Sequence, residues 1–294
     1  MSPAFFDVSA RAKLCVTGDD RIRFLSGQTT NDVRKADAES TQESCVLNAK
    51  GHLDAHVFLF ATPNDIWIDA DQELRELLQA RLERYVIADD VTIEDATDQF
   101  ALFHILPDSE LKISDAKFCF RSRRVGIDGW DLWVAAPRAE AMKSALTADY
   151  RAMDESEWET LRIENGIPRW GRELTPAIIP PEANLAARAI DYEKGCYIGQ
   201  EVISRMKMSG QTRQRLCGVT SEKALAPGME LHAGTKVVGH VTSAVFSKRM
   251  NAHIALAMIK RGYTETGTSL VTLTDDRPIN IKVVALPFNE PSSH

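Results

Sequence analysis

No stretch of this 294-residue chain approaches the roughly 18 uncharged apolar residues that a membrane span needs. The opening MSPAFFDVSARAK lacks the basic-then-apolar order of a secretory signal. These absences set the expectation of a cytoplasmic protein with no membrane partner. Basic charge is also in deficit. The 35 Lys and Arg stand against 42 Asp and Glu, for a formal charge of -7, so a general attraction to phosphate backbones is missing and direct nucleic-acid binding is not expected. Cysteines are few and dispersed, at Cys15, Cys45, Cys119, Cys196 and Cys217, with no C-x-x-C pair. An odd, scattered set argues against a disulfide framework and against a self-contained zinc or four-cysteine cluster site. The seven histidines offer no H-E-x-x-H or other compact spacing, which argues against a histidine-built metal site.

With 44% hydrophobic and 26% charged residues, the chain has the composition of an ordinary globular protein. Its length calls for two or three packed subdomains. Near the N-terminus, AKLCVTGDDRIRFLSGQTTNDV reads as a strand, a turn at Gly18 and a short helix led by Asp19 or Asp20, with Ile22 and Leu25 inward. Residues 56–61 and 65–70 read as a hairpin. A helix from about Gln72 to Tyr85 carries Leu74, Leu77, Leu78 and Leu82 as one buried stripe. A similar strand-strand-helix order recurs through FALFHIL, WDLWVAA and about 137–146, pointing to an α+β arrangement of split, ferredoxin-like type. DESEWETLRIENGIPRWG is a helix with a Ser156/Glu159 capping box and a stop at Gly166. From about Gln211 onward, short β-rich runs separated by Gly, Pro, Asn and Asp read as a small antiparallel barrel. The RSRR run at Arg121–Arg124 reads as a solvated charge run, with anion binding as the sharper alternative.

Four cysteines, Cys15, Cys45, Cys119 and Cys217, sit in strand-like apolar runs, where cysteine packs as a small hydrophobe. Cys196, in KGCYIGQE, has no such surroundings. In extended backbone, residues two apart share a side, so Lys194 would stand beside the thiol and favour its thiolate. The nearby acidic residues Asp191, Glu193 and Glu201 would oppose that effect. A buried, inert cysteine in a Gly-flanked turn is the competing reading.

KGCYIGQE resembles the signature of the YgfZ-type folate-binding proteins, relatives of the glycine-cleavage T-protein that assist iron-sulfur enzymes. VTGDDRIRFLSGQTTNDV, YVIADDVTIED, WETLRIENGIPRWGREL, IPPEANL and GHVTSAVFSKRMNAHIALAMI resemble successive landmarks of the same superfamily in the same order, from about residue 13 to 260. The resemblance implies a T-protein-like α+β fold: two ferredoxin-like split βαβ subdomains and a C-terminal antiparallel β-barrel arranged around a central cavity that holds tetrahydrofolate or a derivative. The division expected is 1–46 with 151–210 as a first, folate-binding subdomain, 47–150 as a second α+β subdomain, and 211–294 as the barrel.

A folate site needs stacking surfaces, a polar group for the pterin edge and a basic group for the glutamate tail. The resemblance assigns Trp158 to ligand contact and Glu182, in PPEANL, to the pterin; Arg205 is the candidate for the carboxylate tail or a redox partner, and Lys50, in LNAKGHLD, faces the cavity. A second tryptophan position of the family falls at Arg11. T-proteins carry an Asp-Asp pair after Gly-x-Leu, and the second aspartate handles the proton in aminomethyl transfer. Here that pair is Asp54 and Ala55. Alanine cannot exchange a proton, and such help is worth about 10²- to 10⁴-fold in rate, so aminomethyltransferase activity is not expected.

The function implied is that of a folate-binding accessory protein in iron-sulfur cluster assembly, delivery or repair. Cys196, with Lys194 beside it, is the working thiol and a transient iron-sulfur contact. Its partners would be iron-sulfur assembly proteins and iron-sulfur client enzymes. A folate-dependent one-carbon transferase or demethylase, and an adaptor for tRNA-modifying iron-sulfur enzymes, are the alternatives.

Overall fold

The computed structural model describes residues 2–107, 115–274 and 277–288. In chain order its elements are β1 (Ala4–Asp7), β2 (Ala12–Thr17), α1 (Arg21–Gln28), β3 (Gln42–Leu47), β4 (Leu53–Ala61), β5 (Ile66–Ala70), α2 (Arg75–Glu83), β6 (Thr92–Asp95), β7 (Phe100–Leu106), β8 (Phe118–Ser122), β9 (Gly129–Ala135), α3 (Ala139–Asp149) and β10 (Arg151–Ala152). Then follow α4 (Glu155–Glu164), α5 (Ala186–Ala189), α6 (Gln200–Ser209), β11 (Gln214–Ser221), β12 (Glu230–Ala233), β13 (Lys236–Ser247), β14 (Ala252–Lys260), β15 (Ser269–Thr274) and β16 (Arg277–Val284). Among the described residues, no helix is long and apolar enough to cross a membrane.

The chain divides into two compact units, Met1–Asp154 with Leu185–Arg205, and Glu155–Asn184 with Met206–His294. The first unit holds two five-stranded sheets, in the orders β10-β1-β7-β9-β8 and β3-β4-β5-β2-β6. All their pairings are antiparallel except β1 with β10. Aromatic side chains from both sheets interleave. Phe60 of β4 and Trp67 of β5 meet Trp133 of β9 at ring-centroid distances of 5.4 and 5.7 Å, and Phe60 meets Phe120 of β8 at 4.1 Å. Such offset and edge-on packing buries large apolar areas and adds roughly 0.5–1.5 kcal/mol per pair.

A buried ion cluster also joins the sheets. Arg124 donates two hydrogen bonds to Asp69 on β5, at 2.9 and 2.7 Å, and others to Asp131 on β9, at 3.0 and 2.9 Å. His104 on β7 bonds Asp131 at 2.7 Å, and Arg11 pairs with Asp69. Burial alone would raise both carboxyls, but Arg124 outweighs it and holds Asp69 and Asp131 below the usual carboxylate range. The RSRR run is therefore not uniformly solvated: Arg121 and Arg123 are exposed, whereas Arg124 is a buried bridge.

In the second unit, the barrel closes as β11-β14-β13-β12-β15-β16, around a core that includes Val219, Leu231, Val238, Val241, Ile259 and Ile281. Helix α4 is tied to β13 by Arg162, whose guanidinium donates to Ser243 at 2.6 Å and to the buried Glu173 at 3.1 Å. At the end of α4, Gly166 has φ +68, and a Cβ there would lie 2.9 Å from Leu286 Cβ, so the helix stops on a residue that only glycine suits.

Several local expectations change. Leu74, Leu78 and Leu82 line the buried face of the α2 region at four-residue spacing, but Leu77 is 67% exposed because it falls off that stripe. Leu25 of α1 is buried, while Ile22 is 40% exposed. Helix α4 starts at Glu155, so Ser156 lies inside its first turn rather than capping it. A boundary at 46/47 would sever the β3–β4 hairpin, whose register runs from Gln42 opposite Leu59 to Leu47 opposite Leu53. Residues 155–184 lie in the second compact unit and residues 185–205 in the first.

Replacing Arg124 by Met should cost about 3–5 kcal/mol in urea unfolding at pH 7, because two buried carboxylates lose their shared counter-charge and are left with Arg11 and His104 alone. Both carboxyls have depressed folded pKa values, so their contribution is complete above the unfolded pKa near 4 and is lost as pH falls below it. The wild type should weaken steeply below about pH 4 and the variant should not; an unchanged urea midpoint in the variant would contradict the bridge.

Candidate functional site

The KGCYIGQE segment is seated on the C-terminal end of α1. The carbonyls of Ser26, Thr29 and Asn31, released where the helix ends, converge on Lys194 Nζ at 2.8, 2.6 and 2.8 Å. An ammonium has three donors and all three are used. Burial pushes the amine down to about 8, with Asp32 and Asp191 pulling the other way, so it stays protonated at neutral pH. Lys194 therefore does not attend the thiol, as two-residue alternation implied. It is a clasp that turns inward.

Three residues on, Tyr197 is buried with its ring 5.2 Å from Lys194 Nζ, and the Ile198 N–H donates to the Gly27 carbonyl at 3.1 Å. Gly199 has φ +86, and a Cβ there would sit 2.7 Å from the Asn48 carbonyl oxygen. Only glycine lets this segment lie against the β3–β4 turn. Between the anchors Lys194 and Tyr197, Cys196 is exposed, and a Cβ placed on its neighbour Gly195 would meet no atom within 4 Å.

Three of the other thiols are buried. Burial pushes Cys15 and Cys217 up to about 11 and Cys45 well above the ordinary thiol range. Cys119, expected to pack as a small hydrophobe, is instead on the outward side of the edge strand β8, yet partial burial and Asp131 still push it up to about 11.

Asp54 is ion-paired with Arg81 at 2.7 Å, and Arg81 also donates to Gln28 Oε1 at 3.0 Å and to the Leu47 carbonyl at 2.8 Å. Ala55 is fully buried opposite Val46. His56 shares a hydrogen bond with Glu43 at 2.8 Å, and Arg188 lies 3.3 Å from the same carboxylate. Burial would raise Glu43, but His56 and Arg188 hold it below its usual range. Neither neighbour of Ala55 is an uncommitted base.

Among the remaining candidates, Glu182 is the most telling. Its carboxylate is buried in the turn at Pro180–Ala183, and its two hydrogen bonds, from the Ile179 N–H and from Gln214 Nε2, are both 3.4 Å. Both fall on Oε2 and are long for bonds to a carboxylate, so the group keeps acceptor capacity. Trp158, on α4, is half-buried. Lys50 is exposed in the β3–β4 turn, its backbone N–H bonded to Asn48 Oδ1 at 2.9 Å. Arg205 is exposed and paired with Glu201 one helical turn earlier, an arrangement of a solvated helix face. Trp158 and Glu182 belong to the second unit; Lys50, Lys194, Cys196 and Arg205 belong to the first. Among the described residues, no group of three or more His, Cys, Asp or Glu side chains is arranged to hold a metal ion. Arg81 and Gln28 escaped the sequence because nothing near them in the chain signals a partner 27 or 53 positions away.

Residues 214–289 match the sequence profile of the glycine cleavage T-protein C-terminal barrel domain. The crystal structure of glycine cleavage system aminomethyltransferase T from Bartonella henselae superposes with a TM-score of 0.88, covering 98% of this chain and 87% of that one; at 20% identity the likeness carries the fold. The barrel matches the glycine cleavage T-protein C-terminal domain, and the fold of the whole chain is T-protein-like. An aminomethyltransferase of Geobacillus sp. (strain WCH70) is 27% identical over 323 residues, spanning 96% of this chain and 86% of that one. One from Halalkalibacterium halodurans is 25% identical over 320 residues, again spanning 96% and 86%. The T-protein-like α+β fold with a closed six-stranded barrel agrees with the sequence.

Brief alkylation of the T-protein-like chain with iodoacetamide at pH 8, read by peptide mass spectrometry, should label Cys196 first and Cys119 much more slowly. Cys15, Cys45 and Cys217 should react only on unfolding. Equal rates at Cys196 and Cys119 would remove the distinction drawn between them.

Proposed function

We propose that this T-protein-like chain binds tetrahydrofolate or a derivative and serves as an accessory protein in iron-sulfur cluster assembly, delivery or repair, through the Cys196 thiol. The observation that carries the proposal is the exposure of Cys196 between two buried anchors, whereas Cys15, Cys45 and Cys217 are buried. A thiol so presented can ligate iron in a partner's cluster, giving its proton to solvent as the bond forms. One thiol cannot complete a four-thiolate site, so the cluster is cargo and its other ligands come from the partner.

The folate half of the proposal is supported by the chemistry of Glu182 and Trp158. An under-bonded buried carboxylate suits the N–H donors of a pterin edge, and a half-buried indole suits its ring face. Arg205, committed to Glu201 at the surface, is a weaker candidate for the glutamate tail. A second reading, a folate-dependent one-carbon transferase, is favoured by the relatives named aminomethyltransferase. Against it stand Ala55, which carries no proton, and Asp54, which Arg81 neutralises.

Tetrahydrofolate titrated against tryptophan fluorescence should show saturable binding that weakens about tenfold or more in Glu182→Gln and is unchanged in Cys196→Ala. With one-carbon donors supplied, no folate product should accumulate. Steady product formation that survives Cys196→Ala would defeat the proposal in favour of the transferase.

A further inference from the structure

The barrel departs from the charge of the rest of the chain. Residues 211–294 carry ten Lys and Arg against six Asp and Glu, whereas residues 1–210 carry 25 against 36. Part of that excess gathers at one end of the barrel. Arg213 and Arg215 lie at the start of β11, Lys260 and Arg261 at the end of β14, with Gln214 opposite Lys260 and the Arg261 N–H bonded to the Arg213 carbonyl at 2.9 Å. Lys236, at the start of β13, holds its ammonium 5.7 Å from the ring of Tyr263, whose N–H bonds the Lys260 carbonyl.

None of these five cations makes an ion pair among the described residues. Their polar side-chain contacts go to neutral groups: Arg215 to Asn184 Oδ1 at 2.9 Å, Lys260 to the Val237 carbonyl at 2.9 Å, and Arg261 to the Gln211 amide oxygen. Glu182, on the same side, accepts from Gln214 rather than from any of them. By contrast, Arg162, Arg169 and Arg249 of the same unit all meet carboxylates. Cations gathered without counter-charge repel one another, and an external anion relieves that cost.

We infer that this end of the barrel is a docking surface for an acidic protein segment with an apolar anchor. The anchor's seat is Met208, 81% exposed at the end of α6 and linked to the cations through Ser209 Oγ, the Gln211 N–H and the Gln211–Arg261 hydrogen bond. Methionine and arginine are both enriched at protein interfaces, and methionine adapts to varied partners. A nucleic-acid strand fits less well. Tyr263 is partly buried against the barrel core and so offers bases no open platform, and the acidic remainder of the chain opposes a long polyanion. This surface is independent of the folate and thiol reading.

The test uses the whole chain and a fluorescein-labelled peptide of glutamates flanking one leucine, followed by anisotropy, with a labelled oligouridylate alongside. Wild type should bind the peptide saturably and lose affinity as salt rises. R213E/R261E should weaken binding by about tenfold or more, and M208S by several-fold. K223E/K282E, which reverses two cations elsewhere on the barrel, should stay within about twofold, and circular dichroism should report all variants as folded. Absence of saturable peptide binding, an equal loss in K223E/K282E, or tighter binding of the oligouridylate would each overturn the inference.

Discussion

Three helix-end carbonyls closing on one buried ammonium are the constraint on which the candidate site rests. Lys194 supplies three donors where α1 runs out of its own, and it does so from the residue two positions before Cys196. Each buried acceptor left without a donor would cost about 1–3 kcal/mol, so the segment cannot drift from α1 cheaply. Tyr197, the Ile198 N–H and the left-handed Gly199 complete the seat. What remains outside is the short span of Gly195 and Cys196. The exposed thiol is thus a consequence of how firmly its neighbours are buried, and its position is set by backbone carbonyls rather than by charge beside the sulfur.

Much of this was legible in the residues, and the failures share one physical cause. Strands and helices showed because apolar periodicity and glycine stops are local signals: the barrel runs, the β4–β5 hairpin and the stop at Gly166 needed no distant partner. Alternation along a strand places Lys194 beside the thiol, but Asp191–Gln200 forms no strand, and the direction of the side chain is fixed by carbonyls more than 160 positions away. Local charge makes Arg124 one of a solvated run, yet its partners Asp69 and Asp131 sit on strands of two different sheets. On a helix, where one residue is a rotation of roughly 100°, Leu77 misses its stripe by one position and Ser156 misses the cap by two. Composition and period report which face is apolar; they do not report which distant polar group will come to meet a charge.

The chain has a T-protein-like framework, and position 55, where the resemblance leads one to expect a proton-handling aspartate, is alanine. Ala55 is packed opposite Val46 in the β3–β4 register, and Asp54, the retained half of the pair, is drawn into a bridge with Arg81 that also holds Gln28 and the Leu47 carbonyl. An aspartate so neutralised serves the architecture. The buried Glu182 is the opposite case, a carboxylate whose two hydrogen bonds are long and both fall on Oε2. One carboxylate is absorbed by the fold, and the other keeps acceptor capacity.

The most direct measurement is anaerobic reconstitution with iron and sulfide in the presence of a partner thiol, followed by visible spectroscopy and cluster transfer to an apo-ferredoxin. The account predicts that Cys196→Ala abolishes both the visible absorbance and the transfer while folate affinity is unchanged. Cluster transfer by Cys196→Ala at the wild-type rate would contradict it.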